Sequence, residues 1–280
     1  MIKTSRQLKA LVRNKAKGDS AKSQAIIRSY MMERFLERIS LSRYKDNVIL
    51  KGGTLIAAVV GLDNRSTMDM DTTIQNLVLD GESARVMVDE IIAIEIDDGM
   101  AFDIKSITSI MGDDEYPGIR ITLEATLETM RTPLKVDFST GDVITPSAVT
   151  YSYRLLFEER SISLLAYNLE TVLAEKIETI ISRGTANTRM RDFYDIHMLT
   201  NETLAYKIDA VTFKQAYANT SEKRGSVALL GDADLILKEI ADSNDMMDLW
   251  VKYQGKYAYA VGIAWDDVVA SSVRLIQVVK

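Results

Sequence analysis

The fold is best predicted from residues 48–71, which read VILKGGTLIAAVVGLDNRSTMDMD. The first three residues are apolar and are soon followed by Gly52 and Gly53, which predicts a short buried strand that ends in a tight turn. Thr54 can cap the apolar segment at residues 55–60 as a helix. We therefore predict a strand, a glycine turn and a helix in immediate succession.

The end of this stretch carries two aspartates on one face of a strand. Residues 67–74 alternate polar and apolar side chains, which predicts an amphipathic strand. The apolar face holds Met68, Met70 and Ile74. Because side chains two residues apart in a strand point the same way, Asp69 and Asp71 converge on one site. Mg²⁺ accepts one or two such carboxylates and fills its other positions with water and phosphate oxygens.

A third carboxylate, Asp137, lies on another alternating segment. Residues 133–139 place apolar side chains on every second position, which predicts a second amphipathic strand. If this strand pairs with the first, Asp137 joins Asp69 and Asp71 in a metal triad. Such a triad is the minimum for two-metal chemistry.

The glycine turn predicts a phosphate-binding site. Gly52 and Gly53 allow the backbone to approach a ligand closely, and the helix N-terminus that follows directs amide donors at a triphosphate. Thr54 can add its hydroxyl. Asp232 and Asp234 have the same spacing as the strand pair, but no strand or glycine turn precedes them. We interpret these two as helix capping and surface charge.

Two further segments have a functional and a structural interpretation. Helical spacing places Lys176 inside an apolar helix face, where its ammonium must reach solvent or pair with an anion such as a phosphate or a site carboxylate. The segment RMRDFYD at residues 189–195 contains arginines, such as Arg191, that can clamp phosphate. Pairing of its arginines with Asp192 and Asp195 inside a helix start is the alternative.

The composition is that of a globular protein, because 47% of the 280 residues are apolar, 26% are charged and only 3 are prolines. We predict an α+β domain at residues 1–150 and a mainly helical domain at residues 151–280, with strands near 151–167 assignable to either part. The other strands are predicted at 100–111, 118–127 and twice within 149–167. The helices are predicted at about 20–40, 82–95, 168–183, 190–200, 209–220, 232–243 and 266–278.

The residue types exclude several chemistries. The chain has no cysteine and a single histidine, His197. Disulfides, thiolate zinc sites and cysteine nucleophiles are therefore excluded, and a serine-histidine triad or a multi-histidine metal site is disfavoured. The sequence shows neither a signal-peptide pattern nor a run of about 18 apolar residues, so we expect no membrane span and a cytoplasmic protein.

The net charge of −6 disfavours a broad nucleic-acid-binding surface, but the start of the chain is basic. The cations that precede the first acid are Lys3, Arg6, Lys9, Arg13, Lys15 and Lys17. Several are three or four residues apart and would share a helix face. This face can bind RNA phosphates, or it can be an ordinary solvated surface.

Five segments, taken in order, resemble the AbiEii nucleotidyltransferase toxins, which are the effector half of AbiE-type abortive-infection systems. The segments are KGGTL (51–55), RSTMDMD (65–71), KVDFS (135–139), LAEKIET (173–179) and RMRDFYD (189–195). The last third of the chain is similar to these toxins only as a helical domain.

The resemblance implies a DNA-polymerase-β-like nucleotidyltransferase domain with a mixed sheet, followed by a helical domain. It also implies a toxin that binds GTP or another nucleoside triphosphate with Mg²⁺, and related toxins transfer nucleotides to tRNA acceptor ends. The implied roles are phosphate contacts for Gly53 and Ser66, Mg²⁺ binding for Asp69 and Asp71, triphosphate binding for Lys176, and a place in the site for Asp192 or Asp195. The implied partner is an antitoxin encoded nearby, which represses transcription and need not bind the toxin stably.

Our leading hypothesis is that an RNA 3′-hydroxyl, expected on tRNA, attacks the α-phosphate of the nucleotide and pyrophosphate leaves. Asp137 then serves as a metal ligand or accepts the hydroxyl proton. One alternative is a GTP-binding effector without a transfer step that acts through a partner. The other is a nucleotidyltransferase whose acceptor is a protein hydroxyl.

Overall fold

The computed structural model describes residues 1–111, 117–201 and 208–280. The chain divides into two compact units. The first unit contains Met1–Asp142 and Val149–Ala166, and the second contains Val143–Ala148 and Tyr167–Lys280.

The first unit combines helices with a seven-stranded sheet. Its helices are α1 (Ser5–Ala16), α2 (Ser20–Leu41), α3 (Gly52–Val60) and α4 (Gly81–Ile92). Its strands are β1 (Val48–Lys51), β2 (Asp69–Ile74), β3 (Met100–Met111), β4 (Pro117–Leu127), β5 (Met130–Thr140), β6 (Val149–Arg154) and β7 (Ser161–Ala166). The strand order is β3-β4-β5-β2-β1-β7-β6.

The sheet mixes parallel and antiparallel neighbours. Strand β2 runs antiparallel to β1 and parallel to β5, and β1 runs parallel to β7. This mixed sheet, together with the helices of the second unit, confirms the predicted α+β fold class. Strands β6 and β7 could be assigned to either domain from the sequence, and in the structure both belong to this sheet.

Strand β2 is less amphipathic than its sequence suggests. It begins at Asp69, and Met68 lies before it with 57% of its surface exposed, so the prediction that Met68 lies on the buried face was wrong. At the other end of β2, Thr72, Thr73 and Ile74 are all buried. The buried polar groups are satisfied by strand β5, because the Thr72 hydroxyl donates to the Asp137 carbonyl at 3.0 Å and the Thr73 hydroxyl donates to the Ser139 carbonyl at 3.3 Å.

Helix α2 carries a buried cluster of charges. Arg34 is fully buried, and its guanidinium donates to Glu33 Oε1 at 2.6 Å and to Glu37 Oε2 at 2.7 Å. Glu33 also accepts the Leu156 backbone N–H at 2.6 Å. Burial raises the pKa of Glu33 to about 7, although the charge of Arg34 opposes this shift. Glu33 therefore links the stability of the first unit to pH.

The second unit is helical in its described residues. Its helices are α5 (Leu169–Arg183), α6 (Met190–Thr200), α7 (Ala210–Lys223), α8 (Ala233–Asp242), α9 (Asn244–Lys256) and α10 (Trp265–Val279). Helix α9 was not predicted, although Ser243 caps it by accepting the Met246 N–H and its buried residues Met246, Trp250 and Tyr253 have helical spacing. Across the described parts of the chain, every helix is too short or too polar to cross a membrane.

The aspartates interpreted as surface charge lie at the start of α8. Asp232 is the N-cap residue, but its side chain makes no capping hydrogen bond. Asp234 is exposed and pairs with Lys280 at 2.6 Å. The surface-charge interpretation is therefore confirmed for Asp234, whereas side-chain capping by Asp232 was a wrong expectation.

Candidate functional site

The side chain of Asp71 lies directly against the glycine pair at the start of α3. The Gly53 N–H lies 3.3 Å from Asp71 Oδ2, within hydrogen-bonding distance. Gly52 has a φ of +60°, and a Cβ at this position would lie 2.8 Å from both Cβ and Cγ of Asp71. Only glycine combines this backbone conformation with such close contact. The predicted glycine turn thus presents backbone to the carboxylate of β2.

The second glycine is equally constrained by the loop that precedes β2. A Cβ at Gly53 would lie 2.9 Å from Thr67 Oγ1 and 3.3 Å from Arg65 Nη2. Arg65 is buried, and its guanidinium donates to the backbone carbonyl of Ser66. The loop carrying Ser66 therefore packs on the N-terminus of α3, and phosphate binding by Ser66 stays a prediction.

Thr54 does not cap α3, contrary to our prediction. The helix begins at Gly52, with Lys51 as an N-cap residue that makes no side-chain hydrogen bond. Thr54 is the third residue of the helix, and its hydroxyl donates to the Asp69 carbonyl at 3.1 Å. The chain enters the helix at Gly52, whose positive φ is a conformation that other residues rarely adopt. Thr54 instead fixes α3 to the start of β2.

The strand pairing places the third predicted carboxylate beside the first two. Strands β2 and β5 pair in parallel with Asp71 opposite Asp137, which confirms the pairing on which the triad depended. Asp69 and Asp71, two residues apart on β2, are both only half-buried. Three carboxylates therefore occupy neighbouring positions on two central strands.

Asp137 is bound to an arginine that sequence reasoning missed. Arg120 lies opposite Asp137 in the antiparallel pairing of β4 and β5. Its Nε donates to Asp137 Oδ1 at 2.7 Å, and its Nη2 donates to Oδ2 at 2.6 Å. The carboxylate raises the pKa of the Arg120 guanidinium further above its usual value, chiefly through these hydrogen bonds. Arg120 is thus a fixed positive charge beside the three carboxylates.

A second cation also lies at this end of the sheet. Lys51, the register partner of Asp71, pairs with Asp142 at 2.6 Å. Ser139 Oγ donates to the same carboxylate at 2.6 Å. Burial would raise the pKa of Asp142, but the charge of Lys51 and these hydrogen bonds outweigh it and lower the pKa. Lys51 belongs to the KGGTL segment, yet nothing local in the sequence indicated Asp142 as its partner.

The electrostatics around Asp71 suit a bound cation. Burial raises the pKa of Asp71 despite the Gly53 hydrogen bond and the charge of Lys51, and the charges of Asp137 and Asp69 add to the rise. A divalent cation would relieve this cost, and one or two protein carboxylates are what Mg²⁺ accepts. Asp69 and Asp71 therefore fit a magnesium ion.

The third predicted metal ligand, Asp137, differs from Asp69 and Asp71 because it is paired with an arginine. Within residues 1–111, 117–201 and 208–280, no three His, Cys, Asp or Glu side chains are arranged to hold a metal ion together. Each oxygen of Asp137 accepts one hydrogen bond from Arg120 and keeps a second lone pair, so Asp137 can still bind a metal while Arg120 fixes its orientation. Metal binding by the triad stays a prediction.

The second unit contains the other predicted residues. Lys176 on α5 lies 2.7 Å from Asp192 Oδ1 and 2.8 Å from Asp195 Oδ2, both on α6. Arg189 Nε lies 3.0 Å from Asp192 Oδ2, and Arg191 is exposed. Burial alone would lower the pKa of Lys176, but the two carboxylates outweigh it and raise the pKa. The anion that Lys176 requires is therefore supplied by the protein itself.

The basic start of the chain forms α1. Leu8 and Val12 are buried, whereas Arg6, Lys9 and Arg13 are exposed. This arrangement is compatible with both earlier interpretations, because an exposed basic face can be solvated or can meet phosphates.

A pair of strand aspartates beside a glycine-led helix N-terminus, on the central strands of a mixed sheet, is an arrangement suited to nucleotidyl transfer. Residues 34–271 match the family described as nucleotidyl transferase AbiEii toxin, type IV toxin–antitoxin system. The chain belongs to this family. It is therefore a nucleotidyltransferase of the toxin type, and the family implies an antitoxin partner.

Several solved structures are similar to the chain. JHP933 from Helicobacter pylori is 17% identical with a TM-score of 0.48, and the match covers 91% of this chain and 93% of that one. A protein from H. pylori provisionally assigned as a nucleotidyltransferase is 15% identical with a TM-score of 0.47, covering 91% and 96%. An antigenic nucleotidyltransferase-like protein from Paracoccidioides brasiliensis is 14% identical with a TM-score of 0.36, covering 80% and 92%. No curated protein sequence matches the chain.

Proposed function

We propose that this protein transfers a nucleotide from GTP, or another nucleoside triphosphate, to an RNA acceptor, with the 3′ end of tRNA as the expected acceptor. Modification of tRNA would arrest growth in the cytoplasm and so protect a bacterial population from phage. Membership of the AbiEii family supports nucleotidyl transfer and the toxin role. The cognate antitoxin would act on transcription without a stable complex with the toxin.

One observation carries the proposal, which is the close approach of Asp71 to Gly52 and Gly53. It combines a carboxylate that favours a cation with a helix N-terminus whose amides favour a phosphate. A nucleoside triphosphate with its divalent ion supplies both partners at once.

Asp69 and Asp71 would hold Mg²⁺, which when bound offsets negative charge on the triphosphate and on the leaving group. The Gly53 amide already donates to Asp71, so the other amide groups in the first turn of α3 would hold phosphate oxygens, since the N-terminus of a helix attracts anions. Ser66, on the loop packed against Gly53, is a further candidate for a phosphate contact. These groups would orient the α-phosphate for attack.

In the proposed reaction the RNA 3′-hydroxyl oxygen forms a bond to the α-phosphorus. The bond from that phosphorus to its bridging oxygen breaks, and pyrophosphate leaves. The hydroxyl proton passes to a free lone pair of the Asp137 carboxylate, which Arg120 holds in place. Arg120 then remains beside the site as a positive charge that stabilises the transition state.

For Lys176 we propose a contact with a phosphate of the nucleotide. An ammonium group has three donors, and in this structure two are directed at Asp192 and Asp195. The third can serve a phosphate oxygen. Exposed Arg191 is a candidate for a second phosphate contact, because a guanidinium binds phosphate with two parallel hydrogen bonds.

The acceptor can be identified in cells. We expect mass spectrometry of cellular RNA after induced expression to show added nucleotides at tRNA 3′ ends, which would report acceptor and donor together. Expression of Asp71→Asn should leave RNA unchanged. Label recovered in protein after ribonuclease treatment would instead indicate a protein hydroxyl as the acceptor and would contradict the RNA proposal.

The pairing of Arg120 with Asp137 favours a second candidate, a GTP-binding effector without a transfer step. Because the charge of Arg120 offsets that of Asp137, Asp69 and Asp71 supply the remaining negative charge, which is sufficient to bind Mg²⁺ and GTP but short of what a two-metal site needs. This candidate predicts GTP binding by calorimetry with no product, and toxicity of the wild-type protein without any nucleotide transfer. Transfer of labelled nucleotide would exclude it.

A further inference from the structure

The second unit contains a continuous cluster of aromatic side chains beside α6. Tyr194 on α6 lies 4.9 Å from Tyr259 and 6.0 Å from Tyr253, measured between ring centroids. Tyr253 lies 4.7 Å from Tyr257, and Trp250 stacks on Tyr253 at 5.4 Å. The cluster therefore extends from the core to the segment that follows α9.

The inner and outer members of this cluster differ in burial. Tyr194, Trp250 and Tyr253 are buried, with exposed fractions of 1%, 2% and 9%, as expected of core aromatics. Tyr257 and Tyr259 are only half-buried, and their rings stack on each other with centroids 5.3 Å apart and planes inclined by 22°. Core packing accounts for the inner rings but leaves part of the outer pair at the surface.

Positive charge lies next to this outer pair. Lys252 and Lys256 are both exposed and are four residues apart on α9, so they share a helix face. The ammonium of Lys256 lies 5.4 Å from the centroid of the Tyr257 ring. The acids of α9, Asp245 and Asp248, lie in its first two turns, away from the tyrosines in sequence. The lysines and the outer tyrosines together are called the tyrosine surface below.

We propose, on the basis of the RNA acceptor put forward above, that the tyrosine surface binds unpaired bases of that RNA. Aromatic rings at the surface offer a face on which any base can stack, and nearby lysines attract the phosphates that link the bases. Single-stranded nucleic acid offers both unpaired bases for the tyrosine rings and phosphates for the lysines. The predicted ligand is thus the unpaired end of the acceptor rather than its duplex.

The contact between Lys256 and Tyr257 fits this role. An exposed cation–π contact is weaker than the stacking of a base on a tyrosine ring, so an incoming base can displace the ammonium. The displaced Lys256 then remains close to the phosphates on either side of that base. In the absence of RNA the ammonium of Lys256 therefore covers the Tyr257 ring, and it does not prevent a base from stacking there.

The tyrosine surface also lies close along α6 to the lysine proposed to bind the nucleotide. Tyr259 packs on Tyr194, and the next residue of α6 is Asp195, which pairs with Lys176 at 2.8 Å. Within the second unit, the same helix therefore contacts both the tyrosine surface and the lysine proposed to bind phosphate.

The test is a binding measurement with two labelled RNA hairpins, one with an unpaired 3′ tail and one blunt. We expect Tyr257→Ala to weaken binding of the tailed hairpin about tenfold, as loss of one stacked base predicts, and to leave the blunt hairpin within about twofold. Tyr257→Trp should restore binding, because tryptophan also stacks. Lys256→Ala should weaken binding of the tailed hairpin and reduce its salt dependence, whereas Lys238→Ala, an exposed lysine of α8, should do neither.

Equal affinity of wild type and folded Tyr257→Ala for the tailed hairpin would overturn the proposal and leave the surface to a protein partner. If Tyr257→Ala does not fold, crosslinking of wild-type protein to a tail that contains 4-thiouridine decides instead. Crosslinks at Tyr257 or Tyr259 support the proposal, and crosslinks confined to other segments contradict it. Tail binding that depends on Tyr257 without nucleotide transfer would uphold the tyrosine surface and refute the transferase. Nucleotide transfer that is unchanged in Tyr257→Ala would uphold the transferase and refute the tyrosine surface.

Discussion

Both carboxylate oxygens of Asp137 are held by the guanidinium of Arg120, at 2.7 Å and 2.6 Å. The pair joins neighbouring strands, since Arg120 lies on β4 and Asp137 on β5. Asp137 is in turn opposite Asp71 on β2. Arg120 therefore lies beside the three carboxylates and is bound to Asp137, the residue that was expected to be the third metal ligand or the base.

Arg120 and Asp137 are predicted to act as one unit in transfer. Arg120→Ala and Asp137→Asn should each lower the rate of nucleotide transfer at least about tenfold, and the double variant should be little worse than either, because each change removes the same interaction. The measurement is the rate of transfer under saturating GTP. Independent, multiplicative losses would contradict this coupling. Lys105→Ala, which breaks a pair with Glu124 on the same sheet, is the matched control and should be neutral.

Gly52 is predicted to tolerate no side chain. Gly52→Ala should lower the free energy of unfolding by about 1–2 kcal/mol, because its φ of +60° is unfavourable for alanine, and should impair transfer because Asp71 must move. Gly81→Ala is the control, since a Cβ at Gly81 meets no atom within 4 Å. Chemical denaturation and the transfer rate report the two effects. Equal stability and activity of both variants would refute the proposed role of the close contact.

Lys176 is predicted to be structural in part. Lys176→Ala removes the buried cation that pairs with both Asp192 and Asp195 and should cost about 3–5 kcal/mol of unfolding free energy, even though Arg189 stays beside Asp192. Lys280→Ala, which removes a surface pair with Asp234, should cost less than about 1 kcal/mol.

The phosphate role of Lys176 is separated from its structural role by removing all three charges together. A variant with Lys176→Met, Asp192→Asn and Asp195→Asn should regain most of the lost stability, because no unpaired charge remains buried. Its affinity for GTP, measured by calorimetry, should still fall about tenfold or more. A folded triple variant that binds GTP normally would show that Lys176 has no phosphate contact.

Glu33 is predicted to make stability fall as the pH rises. Its pKa is raised from the usual 4.5 to about 7 in the folded protein, so its contribution is complete below pH 4.5 and is lost as the pH rises through about 7. A difference of this size corresponds to about 3 kcal/mol. Urea denaturation between pH 4.5 and 8 should show this fall, and Glu33→Gln should reduce it. Glu95 is exposed, so Glu95→Gln should not reduce the fall. Equal pH dependence of stability in the wild type, Glu33→Gln and Glu95→Gln would contradict this prediction.

The parts of the site that sequence predicted are local. The succession of β1, the glycine turn, α3 and β2 depends on neighbouring residues, and so does the shared face of Asp69 and Asp71. Pairing of β2 with β5 was only a condition in the sequence argument, and the structure supplies it. Helical spacing alone placed Lys176 on an apolar helix face, but it did not decide between solvent and an anion as the partner of its ammonium.

The missed residues depend on register rather than on local pattern. Arg120 faces Asp137 because a tight connection joins β4 to β5, with Leu127 opposite Met130. Counting back along that hairpin from its turn would have found the pair, but only once the turn was located. Lys51, at the end of β1, meets Asp142, two residues beyond the end of β5, in a way that no spacing in the sequence indicates.

Transfer of labelled nucleotide to tRNA, with Mg²⁺ and GTP, tests the role of Asp71 most directly. Wild type and Asp232→Asn, which changes an exposed aspartate of the same spacing, should label tRNA equally. Asp71→Asn should lower labelling by about 100-fold or more, because loss of a metal ligand removes several kcal/mol of transition-state stabilisation. Equal labelling by Asp71→Asn, or none by the wild type, would contradict the proposed active site.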